Sequence, residues 1–232
     1  MLRPIPENIM PENKSFLPLM IDLHGRKVVI FGGGSVGERK AELFCEYANT
    51  LVVSKTFSQK LIELQMQESV ILIQMDVGSI SDNEIMEFID GAFLVIPATS
   101  NKLINDRITS IAKSRNILTN QVDTIGEVTI PAVIHRGDLV IGISTTGSSP
   151  AFSRYVRQRI EKVITPEYEQ MISLQNDIRT YLKEHVEDQK QRKSILWGVL
   201  EDDIVWREIS ESYDKAYKRA YDIVQEKINK KD

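Results

Sequence analysis

Three glycines, Gly32, Gly34 and Gly37, are spaced as G-x-G-x-x-G, the first pattern in this 232-residue sequence that indicates a particular chemistry. The first allows a tight turn, and the second lets a phosphate approach the backbone because no Cβ atom intervenes. The third lets a helix pack closely on a strand. The spacing therefore predicts a site for the pyrophosphate of a dinucleotide, with a glycine-rich turn in an ordinary strand–helix connection as the alternative.

The segments on either side of the glycines have the character that such a site needs. Residues 28–31 are apolar and predict a short buried strand, and residues 38–47 predict a helix. The N-terminus of that helix would present unpaired N–H groups and a partial positive charge to the phosphates. This strand, turn and helix together favour the dinucleotide interpretation.

A second strand, at 51–53, ends without the acidic residue that usually binds the ribose hydroxyls of NAD. Ser54 and Lys55 stand there instead, and Ser54 is assigned to the cofactor. Lys55 either favours a 2′-phosphate, and hence NADP, or is an ordinary solvated lysine. Thr56 and Phe57 follow, at the place where we expect the adenosine.

Strands and helices continue to alternate, which predicts an α/β fold with a doubly wound parallel sheet. The further predicted elements are strands at 70–73, 93–96 and 117–119 and helices at 58–68, 83–89 and 102–114. Polar residues follow the fourth strand, where such a sheet places ligand contacts, and Thr99 is therefore assigned to the cofactor. Ser100 or Asn101 is also suited to cap the next helix, and the two roles are compatible.

The pattern changes near residue 124, where we place a domain boundary. Strands at 127–135 and 139–144 predict a hairpin that turns at Gly137, followed by a helix at 151–163. The predicted organisation is a loose arm at 1–15, a dinucleotide-binding domain at 16–123, a hairpin and helix segment at 124–163, and a helical region at 164–232.

A hydroxyl-rich loop lies between this hairpin and its helix. Its residues Ser144, Thr145, Thr146, Gly147 and Ser148 precede a helix N-terminus, which predicts a second anion site. The alternative is plain capping by Ser148 or Ser149, with Pro150 at the first helical position. Both interpretations use the same N–H groups.

Composition and charge narrow the classes of function. Hydrophobic residues make up 42% of the chain, the net charge is −4, and no apolar run approaches the roughly 20 residues of a membrane span. We expect a cytoplasmic protein that binds neither membranes nor nucleic acid generally. His24, His135 and His185 are isolated, and no standing metal site is expected. Residues 136–162 include five cationic and two acidic side chains. This local excess of positive charge suits a polyanionic substrate.

Four segments, taken together, resemble the siroheme-synthase N-terminal family, the precorrin-2 dehydrogenases, some of which are also sirohydrochlorin ferrochelatases. The segments are GGGSVGERKAELF, PATSNKLINDRI, NQVD and PAVIHRGDLVIGISTTGSSPAFSRYVRQRIE. The resemblance covers residues 16–163. It implies a Rossmann domain, a small dimerisation domain and hence a homodimer, a helical C-terminal region, and NAD-dependent oxidation of precorrin-2 to sirohydrochlorin.

The resemblance also implies roles for individual residues. Ser35 and Val36 would contact the pyrophosphate, Thr56 and Phe57 the rest of the nucleotide, and Asp123 of NQVD would be catalytic. Thr145 would lie in the loop that lines the tetrapyrrole pocket. From their positions in and near this loop and at the end of the fifth strand, we also assign the following residues to the substrate: Asn120, Arg136, Ser144, Thr146, Gly147 and Ser148. Three positions depart from the family pattern: Pro97, Ser100 and Thr146.

The sequence is also compatible with two other classes of function. One is a non-enzymatic NAD(H)-binding redox sensor whose helical tail binds a partner. The other is an oxidoreductase for a smaller carboxylated substrate. The local excess of cations and the second hydroxyl-rich loop favour a large polyanion over the latter.

Overall fold

The computed structural model describes residues 16–121 and 126–229, and the chain forms two compact units, Met1–Ile130 and Pro131–Asp232. The first unit thus extends past residue 124. Residues beyond 124 belong to the first unit because Val128 is bonded to it. The Val128 N–H donates to the Thr119 carbonyl (3.3 Å), and the Val128 carbonyl accepts from Asn120 Nδ2 (2.9 Å). The predicted arm at 1–15 lies outside the described residues, and the predicted subdivision of the second unit stays a prediction.

A five-stranded parallel sheet in the order β3-β2-β1-β4-β5 forms the first unit. Its elements are β1 (Lys27–Phe31), α1 (Ser35–Phe44), β2 (Asn49–Ser54), α2 (Gln59–Met66), β3 (Val70–Gln74), α3 (Asp82–Ile89), β4 (Ala92–Pro97), α4 (Lys102–Ser114) and β5 (Leu118–Thr119). This confirms the predicted doubly wound α/β fold.

The central strand β1 is apolar because both of its faces are covered. Val28 and Ile30 pack with residues of α1 and α2 on one face, whereas Val29 and Phe31 pack with residues of α3 and α4 on the other. All four side chains are fully buried. Such continuous apolar strands are typical of parallel sheets that carry helices on both faces.

The helix predicted at 38–47 begins and ends three residues earlier, at Ser35 and Phe44. Gly34 is its N-cap and has an extended backbone, with φ −77° and ψ −174°. Gly37 therefore lies in the first turn of the helix and not in the loop before it.

The strand predicted at 127–135 is wrong in its first part, because β6 covers only Ala132–Arg136. Pro131 has no N–H to donate to a strand partner, and Val128 is bonded to the first unit. β6 pairs antiparallel with β7 (Leu139–Ile143), and Gly137 turns the chain between them at φ +56°.

Five helices complete the second unit as described. They are α5 (Pro150–Glu161), α6 (Glu167–His185), α7 (Gln189–Leu200), α8 (Asp203–Glu211) and α9 (Tyr213–Asn229). Four apolar side chains of α6 are buried and form part of the core of this unit: Met171, Leu174, Ile178 and Leu182. Within the described part of the chain, no helix is both long enough and apolar enough to cross a membrane.

Asp202 joins two of these helices. Its Oδ1 accepts from the Val205 N–H at the start of α8 (2.9 Å), and its Oδ2 accepts from Arg219 Nη2 of α9 (2.6 Å). The Arg219 hydrogen bond is the main reason why the pKa of Asp202 is lowered.

We expect Asp202→Asn to lower the free energy of unfolding by about 1 kcal/mol at pH 7, because asparagine keeps the cap but loses the ion pair. Because the pKa of Asp202 is lower in the folded than in the unfolded protein, its ionised carboxylate stabilises the fold at every pH above the unfolded pKa, about 3.9. This stabilisation is lost as the pH falls through the folded pKa. The difference between the two proteins in urea titrations should therefore shrink as the pH falls below about 3.9.

Lys215→Gln, which removes an exposed pair with Glu211, is the control and should leave the unfolding midpoint unchanged. An equal loss in Asp202→Asn at pH 7 and at pH 3 would contradict this account.

Candidate functional site

The glycine turn after β1 and the first turn of α1 are packed so tightly that side chains are excluded at three glycine positions. Gly32 has φ +119°, and a Cβ atom there would overlap the Ala98 carbonyl. A Cβ atom on Gly37 would overlap the Gly32 carbonyl. Gly33, whose role the sequence analysis missed, donates its N–H to Ser54 Oγ (2.9 Å) and has no room for a Cβ atom either.

Gly34 is different, because a Cβ atom built on it would meet no atom within 4 Å. It caps α1 without a side chain, and the N–H groups of Ser35, Val36 and Gly37 in the first helical turn have no acceptor within the helix. The turn thus presents an open face of backbone donors at a helix N-terminus, which fits a diphosphate.

This open face lies at the point where the sheet reverses its strand order. β1 lies between β2 and β4, so the turn after β1 and the loop after β4 border the same crevice at the carboxyl edge. The Ala98 N–H, which donates to the Phe31 carbonyl (2.7 Å), joins the two segments directly. The predicted cofactor residues of both loops are therefore brought together.

Asn105 fixes the loop that contains Thr99. Its Oδ1 accepts from the Thr99 hydroxyl (2.7 Å) and N–H (3.0 Å), and its Nδ2 donates to the Thr99 carbonyl (2.9 Å). Of the two expected caps of α4, Asn101 is the one that forms, since its Oδ1 accepts from the first amides of the helix. Asn105 was not predicted as part of the site, because a polar residue one turn into a helix does not by itself indicate a binding role.

The carboxyl end of β2 has an acidic residue beside it after all, supplied by the neighbouring strand. Asp76, two residues beyond β3, pairs with Lys55 at 3.3 Å. The pKa of Asp76 is lowered, chiefly by the hydrogen bond from the Gly78 N–H and then by the hydrogen bond from Lys55. Ser54 is buried against Gly33, and Thr56 is exposed beside the glycine turn. Asp76 was not predicted as part of the site, because it follows β3 in the sequence and not β2.

Asn120 lies at the end of β5, beside β4, where its N–H donates to the Val95 carbonyl (3.1 Å). Its side chain is 6% exposed and donates from Nδ2 to the Val128 carbonyl. Its Oδ1 has no hydrogen-bond partner among the described residues. Asp123, the predicted catalytic residue, lies outside the described residues.

The hydroxyl-rich loop of the second unit uses several of its side chains to hold its own turn. Thr145 Oγ1 accepts from the Ser149 N–H (3.0 Å), and Ser144 Oγ accepts from the Thr146 N–H (3.0 Å). Thr146 and Gly147 both have left-handed backbones, with φ +51° and +88°. Ser149, and not Ser148, caps α5, so the capping alternative is confirmed for Ser149.

Arg136, predicted to bind substrate, holds the connection between α5 and α6. Its Nε donates to the Ile164 carbonyl (3.0 Å) and its Nη1 to the His135 carbonyl (2.7 Å). Within residues 16–121 and 126–229, no three His, Cys, Asp or Glu side chains come together in a metal-binding group.

Comparison with known proteins places the chain in a family. Residues 19–132 match the family model described as "Putative NAD(P)-binding", and residues 136–162 match the central part of sirohaem biosynthesis proteins. The chain is 60% identical to the precorrin-2 dehydrogenase of Methanosarcina barkeri over 215 residues, 93% of this chain and 96% of that protein. The chain belongs to the precorrin-2 dehydrogenase family.

Two further proteins, one compared by sequence and one by structure, show how far the similarity extends. The siroheme synthase of Pseudomonas fluorescens is 31% identical over 92% of this chain, which spans only 44% of that longer protein. The solved structure of SirC, a precorrin-2 dehydrogenase, matches 86% of this chain with a TM-score of 0.68 at 21% identity. The precorrin-2 dehydrogenase fold is thus confirmed for this chain.

Gly34→Ala should weaken NAD+ binding at least tenfold, because its methyl group would fill the open face that we assign to the phosphates. The backbone of Gly34 suits alanine and the methyl meets no protein atom, so the melting temperature should stay close to that of the parent. Titration calorimetry with NAD+ and thermal unfolding measure the two effects.

Gly37→Ala is the matched variant, and here the same methyl group overlaps the Gly32 carbonyl. We expect it to lower the free energy of unfolding by about 2 kcal/mol or more. Unchanged NAD+ affinity in folded Gly34→Ala would contradict the assignment of this face.

Proposed function

We propose that this protein oxidises precorrin-2 to sirohydrochlorin with NAD+ as the hydride acceptor. The observation that supports this most is the open face of donors at Gly34, set at the reversal point of the sheet in a chain so similar to the M. barkeri enzyme. A cytoplasmic location, expected from the sequence, stays a prediction.

The reaction removes two hydrogens from the substrate. One leaves a ring-bridging carbon as a hydride, which NAD+ accepts, and the other leaves a pyrrole nitrogen as a proton. We assign Asp123 to this second step, where a carboxylate accepts the proton or orients the ring. Thr99, held by Asn105, and Asn120 border the same edge of the sheet and would position the reactants.

The carboxylates of a tetrapyrrole need cations, and several cationic residues lie on α5 or directly after it. Arg157 pairs with Glu161 on the same helix (3.1 Å). Arg154, Arg159 and Lys162 have no acidic partner within ion-pair distance in the described residues. These three cations support a polyanionic substrate over a small one.

An exposed aromatic face on α5 supports the homodimer expected from the family resemblance. Phe152 stacks on Tyr155 with ring centroids 6.2 Å apart, although both side chains are more than half exposed. Apolar surface of this kind is typical of a face that another chain covers. Insertion of Fe²⁺ into sirohydrochlorin stays a prediction for which no described residue offers specific support.

We further propose that NAD+ is preferred over NADP+. Asp76 neutralises Lys55 at the end of β2, where the adenosine ribose is expected, and its carboxylate would repel a 2′-phosphate. The pairing thus favours the interpretation of Lys55 that does not involve NADP.

Asp76→Asn should raise the ratio of kcat/KM for NADP+ to that for NAD+ by about tenfold, because it leaves Lys55 unpaired beside the 2′ position. Steady-state kinetics with both cofactors measure the ratio. Glu211→Gln, which breaks an exposed pair with Lys215 at 3.1 Å, is the matched control and should not change it. A ratio unaltered by Asp76→Asn would rule out this basis for cofactor choice.

Asp123→Asn should lower kcat for precorrin-2 oxidation by about a hundredfold or more, because the amide cannot accept the proton. Its affinity for NAD+ and its melting temperature should stay those of the parent. The assay is the anaerobic conversion of precorrin-2 followed by absorbance, with and without NAD+. The control is Asp138→Asn, which changes an exposed aspartate in the β6–β7 turn.

Full turnover in Asp123→Asn would remove the catalytic assignment. If the parent protein bound NAD(H) but converted no precorrin-2, the redox-sensor alternative would replace the proposed enzyme.

A further inference from the structure

A groove of 330 Å³ runs between α6 and α7 in the second unit, and none of its residues takes part in the site described above. Trp197 lines it and is 53% exposed, which is unusual for so large an apolar side chain. The volume lies within the range of small-molecule sites.

The groove is strongly basic, although the chain as a whole is acidic. Four of its nine lining residues are cations, and none is acidic: Arg179, Lys183, Arg192 and Lys193. Arg192 donates to the carbonyls of Val186 (2.7 Å) and Glu187 (2.9 Å) and is held in place.

The other three cations are free to bind a ligand. Among the residues that the structure describes, Arg179, Lys183 and Lys193 have no acidic side chain within ion-pair distance. They are also exposed. Converging cations without counter-charges indicate an anionic ligand.

The spacing of the lining residues arranges these cations around an aromatic platform. On α7, Arg192 and Lys193 lie one helical turn before Leu196 and Trp197. On α6, Arg179 and Lys183 are likewise four residues apart and so share one face. The indole is thus bordered by positive charge contributed by two helices.

We propose that this groove is a second binding site for the carboxylate-rich tetrapyrrole, with the macrocycle stacked on Trp197. The peripheral carboxylates pair with Arg179 and Lys183 on one side and with Lys193 on the other. A flat, aromatic, multiply anionic ligand is what an exposed indole flanked by unpaired cations recognises. The identity of the ligand rests on the proposed function, because that reaction produces such a molecule.

A helical segment of another protein fits the groove less well. The stripe from Gln189 to Leu200 is about 17 Å long, which matches three turns of a helix. Its exposed apolar surface, however, comes mainly from one half-exposed indole, since Leu182 is fully buried and Leu196 and Leu200 are largely covered. That area is far below the roughly 800 Å² per partner of a stable protein interface.

The test uses the two tryptophans of the chain, Trp197 and Trp206, as site-specific reporters. The full-length protein is labelled with 5-fluorotryptophan and titrated with uroporphyrin, a stable porphyrin octacarboxylate, and ¹⁹F NMR follows both resonances. The ring current of a stacked macrocycle should move the Trp197 resonance in a saturable way and further than that of Trp206. The variant Trp197→Phe assigns the two signals.

Charge reversal separates a built site from general attraction. Arg179→Glu combined with Lys183→Glu should raise the dissociation constant roughly tenfold, and added salt should weaken binding to the parent. Lys190→Glu, an exposed lysine on α7 outside the groove, should change it by less than about twofold.

Equal shifts of both tryptophan resonances, or equal affinity in the double variant and in Lys190→Glu, would overturn the proposal. Precorrin-2 turnover is measured on the same protein. A protein that titrates at Trp197 but does not oxidise precorrin-2 retains the groove site and loses the proposed function. A protein that oxidises precorrin-2 but shows no shift of the Trp197 resonance retains the proposed function and loses the groove site.

Discussion

The close approach of Gly37 to the Gly32 carbonyl is the constraint on which the first unit depends. It brings the first turn of α1 onto the end of β1, and any side chain at residue 37 would separate them. The N-terminus of α1 therefore lies directly beside the end of β1, and the first amides of the helix lie at the carboxyl edge of the sheet. A pattern of glycines is in this way converted into a fixed set of hydrogen-bond donors.

The surrounding loops are secured one to another around this point. Gly33 is bonded to Ser54, and Ala98 to Phe31, so that the ends of β1, β2 and β4 are tied together. Asn105 holds the Thr99 loop through both its side-chain groups. Only the side at Gly34 stays open, which confines a bound diphosphate to one approach.

Local patterns predicted the strands and helices well, because apolar runs and periodicity determine burial. These local patterns gave wrong or incomplete predictions where contacts between residues distant in the sequence determine the structure. Residues 127–130 have the composition of a strand, yet the hydrogen bond from the Val128 N–H to the Thr119 carbonyl holds them in the first unit. Asp76 was missed because only the parallel pairing of β2 and β3 brings it to Lys55. The choice between Ser148 and Ser149 as cap likewise required the actual backbone.

A crystal structure of the protein with NAD+ tests the central claim most directly, because it measures where the pyrophosphate lies. The account predicts pyrophosphate oxygens within hydrogen-bond distance of the Ser35 and Val36 amides, with the diphosphate passing over Gly34. A pyrophosphate bound elsewhere, with these amides facing solvent, would contradict it.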